Sequence, residues 1–422
     1  MVDAVNHEHV YKSDMGLTNL VRLLLFAFVA VCIFDPADQV FGVKVWLFVA
    51  MWVAASIAAF SALDKMWLPT GLLLCVLLFI TVPLLSIVWY YLTDGTEPYA
   101  GFALMKGFLL VSVAIVLVAN RLDVLPFFSA TLTVLASMTI VIFVSLQFAP
   151  ELFSVLKNIG SQTGLVLLGE RSYADESSFM FVNVVTSPLL VISIAYYFDR
   201  AMSAAAIRSK VIYGSLTAIS IVAMLSVGSR NEAAVSLLLP FFLWPLYTRR
   251  IARNECISLV LLAALSVPFI GKLRVLLNPA EFSNNIKLTL LGDYAEIFSK
   301  PLTLLFGQGL GAYYPWTISG RPKFELTGEN FYFNTELTYA ELVRYSGLLG
   351  ALVVMALLLF PVANGVFGST NARRRALGLG FMAYLCMSAT NPMLFSSTGM
   401  LCFSVLLAET FGSSERGTNW MG

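Results

Sequence analysis

Charge is scarce in this chain: of 422 residues only 12% are Asp, Glu, Lys or Arg, whereas 59% are hydrophobic. A soluble domain carries about 25% charged and about 45–50% apolar residues, so a soluble fold is excluded. The 26 basic and 25 acidic side chains nearly cancel to a formal charge of +1, which provides no bulk attraction for nucleic acid. Histidine is almost absent. His7 and His9 both lie in the polar N-terminal tail, so no imidazole serves as base or metal ligand on the far side of the first span. The five cysteines, Cys32, Cys75, Cys256, Cys386 and Cys402, sit in or beside apolar runs without a CxxC spacing. Neither a thiolate metal cluster nor a disulfide framework is implied. No Walker-type phosphate loop and no strand followed by GxGxxG occurs, so no nucleotide signature is present and no cofactor is expected.

What the chain has in abundance is long apolar sequence, with a mean hydropathy of +0.82. Twelve candidate spans cover 17–34, 41–60, 67–92, 101–119, 124–148, 178–198, 211–228, 232–248, 256–270, 337–362, 375–391 and 395–411. Several are close to the roughly 17 residues that a helix needs to cross hydrocarbon. The first run is followed by Asp35-Pro36-Ala37-Asp38 rather than by a small-residue cleavage site, so it reads as a retained span. The expected fold is all-α: a polytopic integral membrane protein. Transmembrane helices one to nine occupy 1–270, a large extracytoplasmic loop occupies 271–336, and the last three helices with a cytoplasmic tail occupy 337–422.

Lys and Arg in short loops resist translocation and so orient the chain. With the N-terminus cytoplasmic, that side receives Lys12, Arg22, Lys65, Arg121, Arg200, Arg208, Lys210, Arg249, Arg250, Arg253, Arg373, Arg374, Arg375 and Arg416. The short loops opposite hold only Lys44, Lys106 and Arg230. Both termini are therefore expected inside, with 149–177 and 271–336 facing outward.

Charged groups at membrane depth are costly and are functional candidates by default. Arg230, in the short outer turn Gly228-Ser229-Arg230-Asn231-Glu232, offers a planar fork of donors suited to phosphate oxygens. The structural alternative is an interfacial arginine paired with Glu232. Lys272, Arg274, Lys287, Arg321 and Lys323 in the large loop are candidates for a second cation on a diphosphate, or ordinary solvated charges. Glu336, at the junction of loop and span, is placed to act as a general base if its desolvation keeps it poised near neutrality. Its alternative role is to favour the positive end of the following helix. Tyr339 and Arg344 are further candidates for substrate contact, although Glu341 and Arg344 also have the i, i+3 spacing of a structural pair. The Gly307, Gly309 and Gly311 spacing predicts a flexible turn, and the loop aromatics Tyr313, Tyr314, Trp316 and Phe324 could stack on sugars or anchor the loop at the interface.

These segments resemble the signature region of the O-antigen ligase and polymerase superfamily. The resemblance rests on Phe306-Gly307-Gln308-Gly309-Leu310-Gly311, on Glu336-Leu337-Thr338-Tyr339-Ala340-Glu341-Leu342, and on Gly347-Leu348-Leu349-Gly350. Gly228-Ser229-Arg230 is similar to the family's Ser-Arg-Gly motif, and the stretch 179–190, with Asn183 and Pro188, resembles its preceding span. The resemblance covers roughly residues 165–360 and implies a metal-independent, GT-C-like glycosyltransferase of the bacterial inner (cytoplasmic) membrane, active on its periplasmic face. The implied donor and acceptor are undecaprenyl-diphosphate-linked glycans, with membrane lipid around them, a chain-length regulator protein as a possible partner and no nucleic acid. Arg230 matches the first diphosphate-binding arginine of the family. The second falls near Lys287, ahead of Tyr294, with Arg274 or Arg321 as alternatives because lysine stands where arginine is usual. The junction histidine of the ligases aligns with Glu336, a departure that favours a polymerase. The alternatives are a ligase that transfers glycan to a lipid core, a glycan flippase or transporter, and a non-catalytic scaffold of a secretion machine.

Overall fold

The structure, a computed structural model, describes residues 2–61, 68–94, 99–149, 151–163, 165–172, 178–227, 229–247, 282–312 and 337–412. The candidate span 256–270 and the residues Lys272, Arg274, Arg321, Lys323 and Glu336, like the loop aromatics Tyr313, Tyr314, Trp316 and Phe324, lie outside the described residues. The described chain is mostly helical. In order it forms α1 (Val2–Phe34), α2 (Lys44–Ser61), α3 (Thr70–Asp94), α4 (Tyr99–Leu109), α5 (Val113–Ala119), α6 (Leu125–Phe148) and α7 (Leu152–Thr163). A hairpin of β1 (Val166–Ser172) and β2 (Ser178–Val184) follows. Then come α8 (Leu190–Ser203), α9 (Ile207–Ser226), α10 (Arg230–Leu243), α11 (Phe282–Phe298), α12 (Pro301–Phe306), α13 (Thr338–Val366), α14 (Ala372–Ser388) and α15 (Ser397–Gly412).

Among the described residues six stretches are long and apolar enough to cross a bilayer: Gly16–Phe34, Thr70–Thr93, Gly101–Ala119, Leu125–Phe148, Ile207–Ser226 and Thr338–Val366. Shorter apolar helices occupy Lys44–Phe60, Asn231–Leu246 and Ser397–Gly412. Their outward faces are greasy. Leu23, Leu77, Val141 and Leu352 are all more than half exposed, an arrangement that water penalises and lipid does not. In α13, Val354, Leu358 and Val362 repeat at four-residue spacing and are buried, while Leu352 and Leu359 face outward. The helix thus has a core face and a lipid face, both apolar, which is the pattern of a multi-pass membrane protein. Buried hydroxyls satisfy themselves on nearby carbonyls or across helices. Thr139 donates to Leu135 O at 2.9 Å, Ser404 to Leu110 O at 2.7 Å, and Ser193 and Ser220 lie 3.2 Å apart. That is how polar side chains are accommodated where water is absent.

Two expectations change. The candidate span 178–198 begins as β2, paired antiparallel with β1 in the register Val166 to Val184, and becomes helical only at Leu190 after a single 3-10 turn over Ser187–Leu189. The segment 149–177, expected to face outward, holds α7 and β1, so the fold is not purely α-helical. The physical reason lies in the period. Val182 and Val184 are buried while Asn183 between them is half-buried, an alternation of two that hydropathy averaging does not register.

The charged helix ends segregate. At one end Arg373 reaches Asp123 at 3.3 Å and Glu409 at 3.2 Å, Tyr247 donates to Asp199 at 2.7 Å, and Arg200 and Arg373 both lie over the Tyr196 ring. At the other end, the loop between α1 and α2 meets the start of α15 through Lys44 and Ser397. There too the start of α13 meets the end of α14 through Thr338, which donates to Asn391 O at 2.8 Å.

Candidate functional site

Five stretches singled out in the sequence converge at this second end. The backbone of Arg230 opens α10, and the next side chain, Asn231, reaches Thr390 Oγ1 at 3.4 Å and Met387 O at 3.5 Å, just beyond and at the end of α14. Glu232, weighed as a partner for Arg230, is buried and accepts a 2.7 Å hydrogen bond from Ser187. That bond ties the 179–190 stretch to the Arg230 turn. From the other side, Thr338 donates to Asn391 O, and the Tyr339 hydroxyl donates to Leu385 O. The end of α14 therefore forms a bridge between the N-termini of α10 and α13.

The glycine turn at 307–311 is not a loose connector. Gly307, Gly309 and Gly311 all have positive φ, of 79°, 96° and 105°, and the turn is fastened on two sides. Gln308 N donates to Arg344 O at 2.6 Å and Gly309 N to Tyr345 O at 3.1 Å. Trp89 Nε1 donates to Gly307 O at 3.1 Å, and Ser86 both donates to Tyr345 O and accepts from Leu310 N. Its contact on α13 falls at a kink, where Gly347 has φ 66° and ψ 176°. A side-chain carbon at Gly347 would collide with the Leu305 carbonyl, and one at Gly309 with Tyr90. Both positions thus need glycine for conformation and for space. The 306–311 and 347–350 motifs are two halves of one joint.

Beside this joint lies a buried charged cluster. Arg344 is fully buried and Glu341 nearly so. The guanidinium gives Nε to Glu341 Oε2 at 2.9 Å, Nη2 to the same oxygen at 2.8 Å, and Nη1 to Ala312 O at 2.9 Å, with Gln308 Oε1 at 3.4 Å. Its plane sits over the Tyr345 ring, 4.6 Å from the centroid. Tyr294 of α11 completes the cluster by donating to Glu341 Oε1 at 2.7 Å. The i, i+3 pair expected from spacing is present, and Arg344, expected among substrate contacts, has its donors directed at protein acceptors. Lys287 is half-buried on α11, seven residues before Tyr294 and hence on the same helix face, about 10 Å along the axis at 1.5 Å per residue.

A cavity of about 740 Å³ opens against the same joint. Lys44, Lys106 and Asp38 line it together with Thr338, Glu341 and Tyr345. Sequence reasoning noted Lys44 and Lys106 only as outer-side cations. Like Arg230, both are expected on the side that the positive-inside pattern leaves poor in cations. Among the described residues no three His, Cys, Asp or Glu side chains are placed to hold a metal ion.

An α-helical, multi-pass membrane architecture with a polar joint at one end is the class these features define. Compared with known proteins, the sequence matches no family model, and no curated protein matches it.

Proposed function

We propose that this protein is a polysaccharide polymerase of the bacterial cytoplasmic membrane, a GT-C-like enzyme with about twelve spans, a large periplasmic loop and both termini inside. It transfers an undecaprenyl-diphosphate-linked glycan onto the acceptor sugar of a second lipid-linked repeat unit, by an inverting displacement that needs no metal. The observation that carries this reading is the convergence at one end of the bundle. There the Arg230 turn, the 179–190 stretch, the 306–311 turn, the start of α13 and its Gly347 kink are joined through Ser187 and Glu232, Asn231 and Thr390, Thr338 and Asn391, and Gln308 and Arg344.

In this reading Arg230 and one loop cation, Lys287, Arg274 or Arg321, hold the donor diphosphate. They stabilise the charge that develops on it as the bond between sugar and phosphate breaks. Glu336 takes the proton of the acceptor hydroxyl, which attacks the anomeric carbon from the face opposite the leaving diphosphate, so the anomeric configuration inverts. Arg344 and Tyr339 are positioning residues. Arg344 holds the 307–312 turn through Ala312 O and Gln308, and Tyr339 holds α13 to α14 through Leu385 O. The test is Arg230→Ala in cells: the variant accumulates in the membrane at the normal level and makes no long-chain glycan. Long chains of wild-type length from that variant would defeat the assignment.

A further inference from the structure

The cavity beside the joint is lined by a buried cation, Lys44, with which no carboxylate among the described residues makes a direct ion pair. Lys44 is 8% exposed; its ammonium donates to Pro36 O at 2.7 Å and Ser397 Oγ at 3.3 Å, both neutral oxygens. An ammonium has three donors, and among the described residues the third has no partner. The loop carboxylates Asp35 and Asp38 lie near enough to stabilise its charge but accept main-chain amides rather than the ammonium itself. Asp38 accepts from the Lys44 main-chain amide at 3.2 Å, and Asp35 accepts the amides of Gln39, Val40 and Phe41 at 2.8–3.0 Å. Glu341, the other acid on the cavity wall, is held by Arg344 and Tyr294. Lys106, on the same wall, is exposed and forms no ion pair among the described residues. Among the described residues lining the cavity, the acids Asp38 and Glu341 are thus bound to protein donors, and the ammoniums of Lys44 and Lys106 keep donors for a ligand. A buried ammonium left one hydrogen bond short is costly, and an anion entering from the cavity side supplies the missing acceptor.

The rest of the wall says which anion. Phe28, Phe48, Phe108 and Leu104 line the same space, so a hydrocarbon surface continues from the two cations. At about 740 Å³ the cavity falls within the range of roughly 300–1,000 Å³ typical of small-molecule sites, room for a charged head with the first part of a chain. The segment between α14 and α15 separates this space from the Arg230 turn. Its Thr390 faces Asn231, whereas its Phe395 and Ser396, with Ser397 at the start of α15, face the cavity.

Resting on the polymerase reading, we infer that this cavity is the second lipid site of the enzyme: Lys44 and Lys106 hold the diphosphate of the polyprenyl-linked acceptor, while Arg230 holds that of the donor. The acceptor's diphosphate does not leave during transfer, so two lysines that bind it as point charges suffice, whereas the leaving group meets the arginine fork. Thr338 and Glu341 on the cavity wall belong to the same short stretch as Glu336, which brings the acceptor to the start of α13.

The experiment measures binding of polyprenyl diphosphate to the full chain in phosphatidylcholine nanodiscs. Lys106→Gln removes an exposed charge, and Ala103→Trp fills the cavity from its wall without altering charge. A thermal midpoint equal to wild type verifies that each variant is folded. The wild type is expected to bind two equivalents. Each cavity variant weakens one of them at least tenfold and leaves the other, and Arg230→Ala removes the one they leave. Phosphatidylglycerol and inorganic diphosphate, added as competitors, displace the cavity equivalent at least tenfold less effectively than polyprenyl diphosphate. Two equivalents unchanged in both cavity variants, or equal displacement by phosphatidylglycerol, would overturn the acceptor site and leave the polymerase reading intact. A single equivalent lost in Arg230→Ala alone would do the same. Binding insensitive to Arg230→Ala, or no binding by wild type, would overturn both.

Discussion

Tyr294 and Glu341, one on the short helix α11 and the other near the start of α13, are joined by a hydrogen bond of 2.7 Å that is sealed from solvent. Because Glu341 also holds Arg344, which in turn grips Ala312 O, one carboxylate connects α11, α13 and the glycine turn. Glu341→Gln leaves a buried guanidinium uncompensated and should cost about 3–5 kcal/mol. Tyr294→Phe removes one buried hydrogen bond to a charged group, at a cost of about 1–3 kcal/mol. Thermal unfolding of the purified variants measures both, with the larger fall expected for Glu341→Gln.

The glycine joint makes a sharper distinction between positions. Gly347→Ala introduces a carbon into the Leu305 carbonyl at a positive φ and should prevent accumulation of folded protein. Gly292, within α11, has open space around it and no positive φ. There Gly292→Ala should leave the protein unharmed or stabilise it by up to about 1 kcal/mol through helix propensity. Membrane-extracted yield and unfolding midpoint compare the two; equal behaviour would mean that the joint is looser than the structure has it.

The orientation has its own test. In a background without native cysteines, Val40→Cys in the exposed loop between α1 and α2 should react with a membrane-impermeant maleimide in intact cells. Thr370→Cys, in the exposed turn between α13 and α14, should react only after permeabilisation. The reverse pattern would put Lys44, Lys106 and the Arg230 turn in the cytoplasm, where a periplasmic polymerisation site cannot be.

Much of the architecture is readable from the chain because hydrocarbon imposes one simple demand, a long apolar run; the helices at Leu125–Phe148 and Thr338–Val366 follow from it directly. Hydropathy is blind to period, so the strand at Ser178–Val184 passed for part of a helix. The Glu341 and Arg344 pair was legible from its spacing. Its third partner, Tyr294, lies 47 residues upstream of Glu341 and no local rule connects them. Gly307, Gly309 and Gly311 announced a turn, but its fastening depends on Ser86 and Trp89, more than 200 positions away. Lys44 and Lys106 were visible as charges on the sparse side of the topology; only the packing of the 392–397 segment against α1 and α4 makes them walls of one cavity.

The proposed cationic site for a lipid-linked diphosphate lies at the Arg230 end of the bundle. Its most direct measurement is an in vitro reaction of the purified protein with a polyprenyl-diphosphate-linked repeat unit, without nucleotide and with chelator present. A ladder of products that grows with time, and is lost in Arg230→Ala while binding in the cavity persists, is the predicted result. No ladder from wild type, or an undiminished ladder from Arg230→Ala, would contradict it.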